Sequence, residues 1–163
     1  MKLNFEKPTS IRILPMDKNF EFKFKSIENV QKDFFLDELP RRENGKYLFK
    51  EKGMKADPGC IVLFQYNNQV IASAKLTDSE KFSNPQYGDD SGDPYYANEK
   101  YCGAFYFEPS SILVFDPVTS NEIKFIWSEF KRFSHAKYKL DTEKYAQFLQ
   151  LIDKKHPRGM LKN

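Results

Sequence analysis

Arg41, Arg42, Asn44 and Lys46 sit close together and carry chemistry suited to reading an anionic polymer that also offers hydrogen-bonding edges. A guanidinium is a planar fork that pairs bidentately with a guanine edge, and a carboxamide can do the same with adenine. Lys50, Lys52 and Lys55 follow at once, and a second basic run holds Lys131, Arg132, Lys137 and Lys139. Cations so spaced suit phosphates, contacts that position a protein without reading sequence. They predict an affinity that falls steeply with salt. Between the runs, residues 78–99 hold Asp78, Glu80, Asp89, Asp90, Asp93 and Glu99 against Lys81. Asp89 and Asp90 could accept from a cytosine amine, and Tyr95 and Tyr96 could stack on a base. The same lobe could instead meet a basic protein surface.

Other chemistries find no home in this chain. His135 and His156 are the only histidines, and with Cys60 and Cys102 they give no metal-ligand spacing. The run Asp89-Asp90-Ser91-Gly92-Asp93 lacks the full calcium-loop pattern and its closing glutamate. No two carboxylates are marked as an acid and base pair. There is neither a glycine-rich phosphate loop nor the paired acidic motif of a restriction-type nuclease. We therefore expect no catalytic residue, no metal and no cofactor. Two cysteines in apolar stretches read as free thiols of a cytoplasmic protein. The N-terminus has no apolar signal region and no run is long enough to span a bilayer, so no membrane partner is expected.

The elements that must position these groups are mostly strands. With 163 residues, 40% of them hydrophobic and 16 phenylalanines, the chain suits one domain around one core. The strongest signal is GCIVLFQYNNQVIASAKL, residues 59–76, a hairpin turning at Asn67-Asn68. Ile61 and Leu63 share one face and Val62 and Phe64 the other, so this strand is expected to be central. Strands are also predicted over 9–14, 20–25, 47–49, 102–107 and 111–115, with Pro117 bounding the last. Asn44-Gly45 reads as a hairpin turn. Residues 78–100 read as a long loop. A helix over 27–39 should end at Pro40. A second helix should span 120–130, capped by Ser120 or Asn121 with Trp127 in its apolar face. A last helix over 142–153 should bury Tyr145, Phe148, Leu149 and Ile152.

The stretch SILVFDPVTSNEI and the FKRFSHAKYKLD after it, with GCIVLF and QVIASAKL before them, resemble the N-terminal domain of McrB-like restriction subunits. The similarity is nearest to the DNA-binding domain of the LlaJI type. It implies a mostly β fold with flanking helices, a B-three-like pseudo-barrel of about seven strands. Two arms would grip the major groove of double-stranded DNA for site-specific recognition, without catalysis. Residues 1–163 would be one DNA-binding domain excised from a longer subunit. An AAA+ motor would follow in cis, with a partner nuclease, in a bacterial defence system. Composition places the arms at 37–46 and 78–100. The chain is also similar to the PUA-like group, which includes EVE and YTH-like domains. That alternative implies a barrel reading a flipped, modified base in an aromatic cage, with Tyr95, Tyr96, Tyr101 and Trp127 as candidates. A protein-interaction domain is the third alternative.

Overall fold

A computed structural model describes residues 7–16, 25–49, 56–87, 100–133 and 139–155. The predicted strand over 20–25 lies outside these residues. Six strands form one sheet: β1 (Ile11–Pro15), β2 (Lys46–Phe49), β3 (Ile61–Tyr66), β4 (Gln69–Tyr87), β5 (Lys100–Phe107) and β6 (Leu113–Thr119). Their order is β1-β3-β4-β5-β2, with β6 also paired to β4. Among the described residues only β1 and β3 run parallel.

The hairpin β3–β4 forms as its residues dictate. Asn67 and Asn68 take φ of 51° and 62°, the left-handed pair that a tight two-residue hairpin turn requires. β3 lies between β1 and β4 and is packed on both faces. Val62, Phe64 and Tyr66 enter one core, with Leu14, Ile71, Ala72, Ala74, Leu76 and Phe107. Leu63, Ile11, Ile13 and Val70 enter a second, with Trp127, Phe148 and Ile152. The chain therefore builds two cores on opposite faces of β3 rather than the one expected.

The first core is covered by a helix, residues 27–41, placing Val30, Phe34, Phe35 and Leu39 against Phe64 and Tyr47. Ser26 caps it through the Asn29 N–H, 3.1 Å away. After one α turn, Val30–Glu38 is π-helical, and the Leu39 N–H donates to the Phe34 carbonyl five residues back. Pro40 has no N–H, and in an α-helix its ring would press on the carbonyl four residues earlier. The wider π turn gives that ring room, and the helix ends at Arg41. Gln31 is buried and its amide nitrogen donates to the Ile71 and Phe115 carbonyls, at 3.0 and 2.7 Å. Ile71 is the extra residue of a bulge against β3, and on its other edge it faces the irregular stretch of β6 between Val114 and Val118. A bulged residue leaves the ladder, and Gln31 supplies the missing donor.

The second core is closed by two helices. Ser120–Ile126 is capped by Thr119, not by Ser120 or Asn121, in a reciprocal capping box with Glu122. Tyr145–Lys155 buries Tyr145, Phe148, Leu149 and Ile152 as its spacing predicts. Trp127 is fully buried, and its indole N–H donates to the Asp141 carbonyl at 2.9 Å.

Three further expectations need correction. Residues 78–87 are not loop but the far half of β4, hydrogen-bonded to β5. Pro117 lies inside β6 rather than beyond it. β6 pairs only with β4, and Pro117 falls between the Val114 and Val118 pairings, where no ladder bond is asked of it. Finally, there is no seven-stranded B-three-like pseudo-barrel. Among the described residues six strands form an open sheet, and the 27–41 helix covers the side that a barrel would close with strands.

Candidate functional site

Where β4 leaves the first core it changes partner and character. Leu76 pairs with Phe107 and Asp78 with Tyr106, so Thr77 is the extra residue of a second bulge. Such a bulge re-aims side chains, and here Thr77 and Asp78 are both exposed. The Thr77 hydroxyl donates to the Tyr106 carbonyl at 3.0 Å. One Asp78 oxygen accepts from the Ser79 N–H at 2.8 Å.

The opposite wall comes from the turn Glu43–Gly45 that joins the first helix to β2. Asn44 and Gly45 take φ of 55° and 57°. A Cβ at Gly45 would collide with the Phe107 carbonyl, so only glycine lets the turn sit this close to β5. The Asn-Gly pair therefore makes a helix-to-strand corner, not the predicted hairpin. β2 then pairs Lys46 with Tyr106.

These two walls enclose an open recess of about 340 Å³ lined by Glu43, Asn44, Lys46, Thr77, Asp78 and Tyr106. The Tyr106 hydroxyl donates to Glu80 at 2.6 Å. Burial, that hydrogen bond and the charges of Glu80, Asp78 and Glu43 push the phenol up to about 12. The Lys46 ammonium lies 5.6 Å from the centre of the Phe82 ring, within cation–π range. The site thus combines half-buried aromatic rings, an amide, an ammonium and carboxylates on backbone held by two strands and a glycine contact.

Of the residues singled out in the sequence, the fold brings Asn44 and Lys46 to this recess. Arg41 is exposed and pairs with Asp37 and Glu38 on its own helix, at 3.2 and 3.4 Å. Arg42 is only 12% exposed. It donates to Glu38 and to the Lys46 carbonyl, and its guanidinium lies 5.1 Å from the Phe34 ring centre. Segment 37–46 is therefore packed at a helix end and does not project as an arm. Lys131, Arg132 and Lys139 are exposed beside Phe133 and Leu140 of the second core. Lys50, Lys52, Lys55, Lys137, Asp89, Asp90, Tyr95 and Tyr96 lie outside the described residues. Tyr101 and Trp127 are fully buried and cannot form an open cage.

Sequence reasoning missed Thr77 and Tyr106 and read Asp78 and Glu80 as loop. The one available signal was the alternation of residues 102–107, which sends Tyr106 to the face opposite Phe105 and Phe107. Among the described residues no cluster of His, Cys, Asp and Glu could hold a metal ion. Cys60 is buried, which pushes its thiol up and makes it a poor nucleophile. Among the described residues no helix is long and apolar enough to cross a membrane.

A second concavity of about 630 Å³ lies between the last two helices, lined by Asn121, Glu122, Phe125, Ile126, Gln147, Gln150, Leu151 and Lys154. Burial alone would raise Glu122, but the Thr119 N–H and the Lys155 ammonium hold it below the usual range. Its charged group serves the helix cap, so this groove is apolar surface with Phe125 at its edge.

The sequence matches no protein-family model, and no curated protein matches it. Solved structures do resemble it. ASCH from Zymomonas mobilis superposes with a TM-score of 0.51 at 11% identity, covering 93% of this chain and 96% of that one. A single-residue mutant of the same protein gives 0.52 at 11% identity, over 86% and 95%. The YTH domain of a Zygosaccharomyces rouxii protein, in complex with N6-methyladenosine RNA, gives 0.48 at 15% identity, with 93% of each chain covered. The first two establish an ASCH-like fold, which overturns the B-three-like expectation. The identification with a LlaJI-type, McrB-like subunit falls with it. So do the readings that only this resemblance implied: major-groove recognition of double-stranded DNA, the AAA+ motor, the partner nuclease and the role in bacterial defence.

Proposed function

We propose that this domain is a non-catalytic reader of a nucleobase held outside a stack, in single-stranded RNA before any other polymer. Asn44, Lys46, Thr77, Asp78 and Tyr106 are the reading groups. The observation that carries this is the composition of the recess: aromatic surface beside amide, ammonium and carboxylate groups on rigid backbone. A base offers one apolar π-face and one polar edge, and proteins that read single strands meet both at once. Bases accessible in this way are commonest in single-stranded RNA. A duplex hides its base faces.

The test is fluorescence anisotropy with mixed-sequence single-stranded RNA and a mixed-sequence DNA duplex. Single strands are expected to bind and duplex to bind far more weakly. Asn44→Ala and Tyr106→Ala should each weaken RNA binding about tenfold, the scale of one lost stacking or edge contact. Equal affinity for duplex, or no effect of either substitution, would remove this reading.

A further inference from the structure

We infer that the base this recess takes is guanine, held by its Watson–Crick edge. This rests on the base-reader reading above and goes one step further, to the identity of the ligand.

The argument is an inventory of donors and acceptors. Glu43 and Asp78, as carboxylates, can only accept. Thr77 has already given its proton to the Tyr106 carbonyl, and Tyr106 has given its own to Glu80. Both hydroxyls therefore turn only lone pairs to a ligand. Of the six lining residues, four now offer acceptors alone. Asn44 offers both kinds, and Lys46 is the single cation.

A ligand that satisfies such a wall must be rich in N–H groups. Uracil presents one N–H between two carbonyls and would set both against carboxylates. Adenine and cytosine each present one amino group. Guanine presents a ring N–H and an amino group side by side, the spacing that a carboxylate accepts bidentately. Its adjacent O6 is an acceptor, and Lys46 supplies the ammonium to meet it. Asp78 is the better placed carboxylate. It lies beside Thr77 on the bulge, and its Ser79 contact fixes one oxygen while leaving lone pairs on both. Phosphates are repelled by Glu43, Asp78 and Glu80 and must run outside the recess.

The decisive experiment uses four labelled oligouridylates that differ at one internal position, carrying G, A, C or U there, with anisotropy as readout. The expected result is that G binds at least about tenfold tighter than U, with A and C between. Inosine, which lacks the amino group, should lose most of that advantage. Asp78→Asn, a change at an exposed side chain, should bring G down to the level of U. Equal binding of all four, or a preference for A or C, would overturn the guanine assignment and leave the base-reader reading standing. Binding of none would overturn both. A G preference that survives both inosine and Asp78→Asn would show that a different edge is read, and would also overturn the assignment.

Discussion

The two halves of β4 are one continuous strand with opposite jobs. Residues 69–75 pair with β3 and β6 on both edges and are packed on both faces. Residues 77–81 are exposed and pair with β5 along one edge. The first half is Val, Ile and Ala with a bulge closed by a helix side chain. The second is Thr, Asp, Ser, Glu and Lys with a bulge left open to solvent. A strand can therefore be core at one end and site at the other, with hydrogen bonding unbroken between them. What separates the two is whether something packs over the bulge.

That contrast can be broken by mutation, and the core half should respond most. Phe64→Ala, in the wall that faces the first half, should cost about 3–5 kcal/mol of stability in denaturant unfolding. A loss below about 1 kcal/mol would mean that the first core is not the mainstay assigned here. Gln31→Leu removes the donor shared by the Ile71 and Phe115 carbonyls and should cost about 1–3 kcal/mol, with RNA affinity measured on the folded variant unchanged. Thr119→Ala deletes the cap of the second helix and should cost about 1 kcal/mol. Tyr106→Phe at the site half should change stability by no more than about 0.5 kcal/mol.

The same tyrosine gives a pH test. Tyr106 and Tyr145 are both raised to about 12, the first by burial and the Glu80 hydrogen bond, the second by burial. A raised folded value means that the protonated form is favoured in the native state. Their contribution is therefore complete below the unfolded value, near 10, and is lost as pH climbs through 12. Ultraviolet titration should show these late phenols, and Tyr106→Phe should remove one of them. The smallest expected effect is ionic. Glu43 and Asp78 outweigh Lys46 in the recess, so RNA affinity should fall only gently with salt. A steep slope would instead point to phosphate contacts by basic residues elsewhere.

Much of the fold was legible. The 59–76 hairpin announced itself through alternation and an Asn-Asn turn, and the last helix through its apolar spacing. Trp127 was readable as core. The site was not legible, for physical reasons that differ by residue. Thr77 matters because it is a bulge, and a bulge depends on the partner strand rather than on its own neighbours. Polar residues 77–81 look like loop because one wet face and one edge are enough to hold a strand once β5 is present. Asn44-Gly45 carries a left-handed signal that fits several kinds of corner, and only the close approach to Phe107 selects this one. The B-three-like resemblance failed because apolar hairpins of this texture suit many small sheets, and texture does not specify strand order.

The π turn of the first helix and the bulge at Ile71 each hold one residue more than regular structure would, and Gln31 joins them. Deleting a single residue between 32 and 38 would return the helix to ordinary pitch and shift Gln31 relative to Leu39. The Ile71 and Phe115 carbonyls would then face an apolar wall. Deleting Ile71 instead would leave the Gln31 amide with one of its two acceptors, the Phe115 carbonyl. Gln31 couples the two surplus residues, so related chains should gain or lose them as a pair. For the same reason, a graft of the β3–β4 hairpin into another sheet would have to carry this helix with it.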